Sequence, residues 1–120
     1  MNLVDFLKYL EDEPEWEGRG QVGVTTRSTS GDTPLHAALW AQDDEAAWAL
    51  LGAGADIAAT GEEGYTPLHV AVAQTNVALA RALAERGASW DTVSDLGFSP
   101  RQDALASNNA ELRALAQASE

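Results

Sequence analysis

The 120-residue chain has a formal net charge of −12, from 19 acidic against 7 basic residues, and contains no cysteine. Its length suits one domain with its own core. The absence of thiols excludes disulfides, thiolate metal sites and cysteine nucleophiles, and the charge opposes direct binding to nucleic acid or an anionic membrane. Residues 1–30 hold 6 acids and 3 bases, which leaves 13 acids and 4 bases for the remainder, so the acidity is spread along the chain. Such a field attracts a basic protein and accelerates its encounter, or simply keeps the protein soluble. No basic-plus-apolar leader pattern and no apolar run of spanning length occur, so a soluble cytoplasmic protein, monomeric when unbound, is the expectation.

In chain order, Asn2 is a good N-cap, and Leu3, Phe6, Leu7 and Leu10 recur at helical spacing. This predicts a short amphipathic helix that covers the apolar end of the first helical unit after it; donation to a partner's groove is the alternative. Glu11 to Glu17 places five acids around Pro14 and Trp16 and fits no regular element. It reads either as a solvated connector or as an aromatic contact in a field that draws basic groups. Gln21 to Thr26 alternates with β-branching and predicts a short strand or extended finger. The interval from Leu10 to Thr33 is long for a connection in a small domain.

From Gly31 a pattern repeats. Gly-Asp-Thr-Pro-Leu-His at Gly31–His36 returns as Gly-Tyr-Thr-Pro-Leu-His at Gly64–His69 and, weakened, as Gly-Phe-Ser-Pro-Arg-Gln at Gly97–Gln102, each glycine 33 residues after the last. In each complete copy the threonine, Thr33 or Thr66, can N-cap a helix, and Pro34 or Pro67 sits at its first position where the missing N–H costs nothing. Leu35 with Ala38 and Leu39, and Leu68 with Ala71 and Val72, supply the buried face of a first helix of about ten residues. Second helices follow, at Glu45 to Leu51 and around Leu79, Ala82 and Leu83. Gly54 and Gly87 are placed to take the left-handed C-cap conformation.

In the third copy Ser99 and Pro100 keep the cap, and Gln102 completes a capping box. Arg101 replaces the buried leucine, which is expensive unless that side faces water, so this unit should end the stack. Asn108 and Asn109 are expected to make a left-handed turn before a last helix carrying Leu112, Leu115 and Ala116, with Arg113 and Gln117 facing solvent.

The period of 33 and the Thr-Pro-Leu-His core resemble the ankyrin-repeat family over roughly residues 31–120. The resemblance implies an all-α solenoid of helix-turn-helix units with hairpin loops. The units would be an N-terminal capping helix and loop over 1–30, repeats over 31–63 and 64–96, and a truncated capping repeat over 97–120. It assigns His36 and His69 to the scaffold, since each ring can bond within its own turn and to the neighbouring repeat. A metal bridging them would need both rings at about 2.0 to 2.2 Å, whereas packed helices lie about 10 Å apart. No nucleophile elbow or phosphate loop is present. Asp43-Asp44-Glu45 and Glu62-Glu63 read as helix-terminal and loop charges rather than an acid–base pair. No cofactor, metal or catalytic residue is therefore assigned, and a hydrolase or metal enzyme using His36 or His69 is the minor alternative.

In this family the contact surface is the concave helix face with the hairpin tips. Carried over by position, it comprises Asp32, Trp40, Ala41, Glu62, Glu63, Tyr65, Ala73, Gln74, Trp90, Asp95 and Phe98, with Trp16 added from the acidic loop. Trp40 and Trp90 are read as partner anchors, and Trp48 as packing or incidental exposure. Small, acidic, cysteine-free proteins of this type look like immunity proteins that cover the active site of a basic toxin. An intracellular adaptor is the alternative.

Overall fold

The computed structural model describes residues 1–119. Helix α1 (Leu3–Glu11) is followed by a 3-10 turn (Pro14–Trp16), then by three helix pairs: α2 (Pro34–Trp40) with α3 (Asp44–Gly52), α4 (Pro67–Ala73) with α5 (Val77–Glu85), and α6 (Pro100–Ala106) with α7 (Ala110–Ala118). No strand occurs among the described residues. Helices α2, α4 and α6 stack as an inner row; α1, α3, α5 and α7 form the outer row. The first helices are seven residues long, shorter than the ten the pattern suggests.

Local chemistry fixes each helix start. The side chains of Asn2, Thr33, Asp43, Thr66, Asn76, Ser99 and Asn109 each accept the backbone N–H three residues on, and a cap of this kind stabilises by about 1 kcal/mol. Behind α3, Gly54 at φ 85° lets the N–H groups of Gly54 and Ala55 return to the carbonyls of Leu51 and Leu50 at 3.2 and 3.0 Å. Gly87 does the same for α5, the expected left-handed termination.

The core is leucine against alanine. Leu35, Leu39, Leu50, Leu68, Leu79, Leu83 and Leu112 are fully buried among Ala38, Ala46, Ala71, Ala80, Ala104 and Ala116. Each buried leucine contributes about 1.5–3 kcal/mol, and the methyl-sized partners let the rows approach closely. Helix α1 lays Phe6 and Leu10 against α3 and so covers the end of the outer row.

Consecutive repeats are joined through imidazole. Nδ1 of His36 accepts from the Thr33 N–H at 3.2 Å and faces the Thr33 hydroxyl at 2.8 Å; Nε2 donates to the Tyr65 carbonyl at 2.8 Å. His69 repeats the arrangement with Thr66 and the Phe98 carbonyl. The partners fix the Nε2–H tautomer. Burial pushes the His36 pKa below its ordinary value, against the raising effect of the Tyr65 hydrogen bond.

Five sequence expectations are corrected. Gln21 to Thr26 is not a strand: the Gly23 N–H bonds to Thr26 Oγ1 and closes a turn, while Val22 is buried. The acidic segment carries the 3-10 turn that buries Trp16. Arg101 does not face water. It grips both carboxylate oxygens of Asp91, holding that carboxyl below its usual pKa, and donates to the Ala116 carbonyl at the end of α7. The left-handed turn expected at Asn108 and Asn109 does not form; left-handed inter-helix turns occur instead in the first two units, at Gln42 (φ 56°) and Thr75 (φ 55°). In the third unit Ser107 is extended (φ −76°, ψ 159°) and turns the chain first. Its carbonyl is held by Arg113, which is half-buried rather than solvent-facing.

Both the imidazole links and the tight loop beside them are open to measurement. The unfolded chain takes up a proton on His36 more readily than the native one, so stability falls as pH drops below about 6.5. Urea unfolding at pH 7.5 and 5.5 should show a lower midpoint at 5.5, and the loss should shrink in His36→Gln. Gly61 lies so close to Asp32 Oδ1 and the His36 ring that a Cβ there has no room. Gly61→Ala should therefore lower stability by about 2 kcal/mol or more, read as a lower urea midpoint at unchanged m-value.

Candidate functional site

The loops between repeats place most of the residues assigned to the surface. Each tip is closed locally, in the first by Gly61 N–H to the Tyr65 carbonyl at 2.8 Å and in the second by Ser94 N–H to the Phe98 carbonyl at 2.9 Å. Neighbouring tips are tied side by side. Asp32 Oδ1 accepts the Glu62 N–H at 2.9 Å, and the Asp95 N–H donates to the Glu63 carbonyl at 2.9 Å. Arg27 reaches from the long connector to the carbonyls of Gly31 and Thr60, both at 2.8 Å. The tips thus form a continuous strip beside the inner helices.

Along that strip the Trp40 and Tyr65 rings stand 6.2 Å apart, and Tyr65 stacks on the buried His69 ring at 5.5 Å. Trp40 is 38% exposed and Phe98 53% exposed. Glu62, Glu63 and Asp95 are exposed around them, as are Ala41 and Ala73, while Tyr65 and Gln74 are half-buried. The side chain of Gln74 meets that of Gln42 at 2.6 Å. Burial and the nearby Glu63 carboxylate hold the Tyr65 hydroxyl above its usual pKa, so it remains a neutral donor.

Three assigned residues lie elsewhere. Trp16 is 3% exposed, Trp90 5% and Asp32 6%. Trp16 fills the space beside α1, and Trp90 packs under the third repeat, its carbonyl taking the Arg101 N–H. Asp32 spends its carboxylate on the Glu62 backbone. None of the three presents its side chain to a partner in this structure. Trp48 stands exposed on the outer face of α3.

Two groups are not evident from the sequence. Val93 and Leu96 are exposed in the same loop as Asp95, next to Phe98, and make the second tip apolar; two large apolar residues within a turn-forming segment are the available signal. The second group is a groove of about 440 Å³ between α1, the acidic turn and α2, which adds Tyr9, Glu13 and Glu15 to Trp40, Ala41 and Glu62.

His36 and His69 are both committed to scaffold hydrogen bonds. No cluster of three or more metal-ligating side chains occurs among the described residues. Nor is any described helix long and apolar enough to cross a membrane.

Comparison with known proteins agrees with this geometry. Two family models, both described as ankyrin repeat, match residues 30–62 and 63–92, together more than half of the chain. No curated protein matches it in sequence. The repeat period, the paired helices and the histidine links account for the same residues that the models match, and the chain belongs to the ankyrin-repeat family, a family of protein–protein interaction modules.

Proposed function

We propose that the chain is a non-catalytic binder of one basic protein, held along the strip of loop tips and inner helices. The observation that carries this reading is the aromatic run of exposed Trp40, half-buried Tyr65 and exposed Phe98, flanked by Glu62, Glu63 and Asp95. Aromatic side chains offer large contact area at low entropic cost and are enriched among residues that dominate binding energy. None of the three flanking carboxylates is engaged in an ion pair among the described residues, so each is open to a cation brought by the partner. With a chain charge of −12, long-range attraction favours a partner of opposite sign.

The specific form of this role is neutralisation of a toxin, in the manner of an immunity protein that covers an active site. Strong acidity and a surface whose loop tips are closed by their own backbone hydrogen bonds support it. Here the ankyrin units supply the scaffold and the exposed residues supply the recognition.

Affinity capture from host lysate, with the wild-type chain and with Tyr65→Ala/Phe98→Ala in parallel, tests the reading. The expected result is a basic protein retained by the wild type and lost from the double variant. Its affinity should fall several-fold from low to moderate salt, and its expression alone should arrest growth that co-expression of the chain restores. An acidic or neutral partner, or an affinity indifferent to salt, overturns the electrostatic reading. A basic partner that is harmless when expressed alone overturns the toxin-neutralising form.

A further inference from the structure

The two helix rows are unequal at the N-terminal end. Helix α1 extends the outer row beyond α3, but no described helix extends the inner row beyond α2. The connector from Asp12 to Asp32 runs there instead, and its 3-10 turn sets Trp16 into the space between α1 and α2. Filling is incomplete. The groove of about 440 Å³ remains, within the size range of ligand sites.

Its surface has two components. It is lined by buried Phe6, Leu10 and Trp16 and by two substantially exposed aromatic side chains, Tyr9 on α1 and Trp40 on α2. The rim carries Glu13, Glu15, Asp32 and Glu62, and no lysine, arginine or histidine lines the groove. Asp32 is occupied by the Glu62 N–H. Glu13, Glu15 and Glu62 form no ion pair among the described residues. Glu13 bears on Tyr9 strongly enough to raise the pKa of its hydroxyl.

We propose that this groove receives an arginine-bearing extended segment of the partner protein. The guanidinium would lie between the Tyr9 and Trp40 faces and donate to Glu15 and Glu62. The proposal rests on the basic-partner reading and adds a second contact, at the end of the stack, to the strip of loop tips. Arginine fits both components, because its plane stacks on aromatic rings and its fork of N–H groups pairs with carboxylates. A second copy of the chain is a poor occupant, since closing the groove against it would bury Glu13, Glu15 and Glu62 in the field of another body of charge −12.

The test uses the full chain and a capped Gly-Arg-Gly-Arg-Gly peptide, with lysine and citrulline versions as controls, followed by two-dimensional amide NMR that includes the indole N–H signals. The expected result is a saturable shift confined to residues 9–16, the Trp40 indole and Glu62. Binding should weaken about tenfold or more in Glu15→Gln/Glu62→Gln and in Trp40→Ala, two variants of exposed side chains; loss of two charge-assisted bonds is of that order. The lysine peptide should bind several-fold more weakly and the citrulline peptide not measurably. Absence of binding, shifts spread evenly over all the acidic loops, equal binding of the arginine and lysine peptides, or unchanged affinity in the glutamine variant each overturn the proposal. None of these bears on the basic-partner reading, which depends on the captured protein and its loss from Tyr65→Ala/Phe98→Ala.

Discussion

A neutral imidazole holds each repeat to the next. In a helix pair that cannot bury its apolar face alone, stability comes from stacking, and stacking needs a directional contact that sets the spacing between layers. His36 supplies it by closing its own turn on Nδ1 and reaching the next loop on Nε2. His69 does the same one layer on. Because both ring nitrogens are committed, the carbonyls of Tyr65 and Phe98 are pinned, and with them the side chains of these two residues. The backbones that carry Tyr65 and Phe98 are therefore positioned by buried hydrogen bonds.

Much of this is legible from local chemistry. The threonine caps, the prolines after them, the leucine face, the glycine terminations and the period of 33 act over four or five residues. They appear in the sequence in the form in which they appear in the fold. Residues whose fate is decided at long range are less legible. Trp16 and Trp90 read from the sequence as surface anchors, yet both are buried, Trp16 beside α1 where no described inner helix precedes α2, and Trp90 at the position that Ile57 holds in the preceding repeat. Asp32 sits at the position Tyr65 and Phe98 occupy in the other copies, but its short carboxylate turns inward to the Glu62 backbone. By pattern alone Arg101 is a charge needing water; Asp91 and the end of α7, ten and fifteen residues away, satisfy it instead.

The groove at the N-terminal end illustrates the same division. The amphipathic helix and the acidic turn are each visible in the sequence. Their juxtaposition with Trp40 depends on where the connector runs, and no spacing rule states that. Once assembled, Tyr9, Trp40 and the carboxylates of Glu13, Glu15 and Glu62 make an open groove that adjoins the loop strip. The two share Trp40, Ala41 and Glu62, so a partner lying on one meets the other without a gap.

The turns at Gln42 and Thr75 have a further implication. Both adopt a left-handed backbone that glycine and asparagine accept readily, and Thr75 is β-branched, the poorest kind of residue for that geometry. The hairpins between α2 and α3 and between α4 and α5 are thus held open by the packing around them and not by their own preference. The first two layers carry a small amount of stored tension at their rim, on the side away from the loop tips. The thermal tolerance of the scaffold can therefore drift, by exchange of one exposed turn residue, while the face that selects a partner stays unchanged.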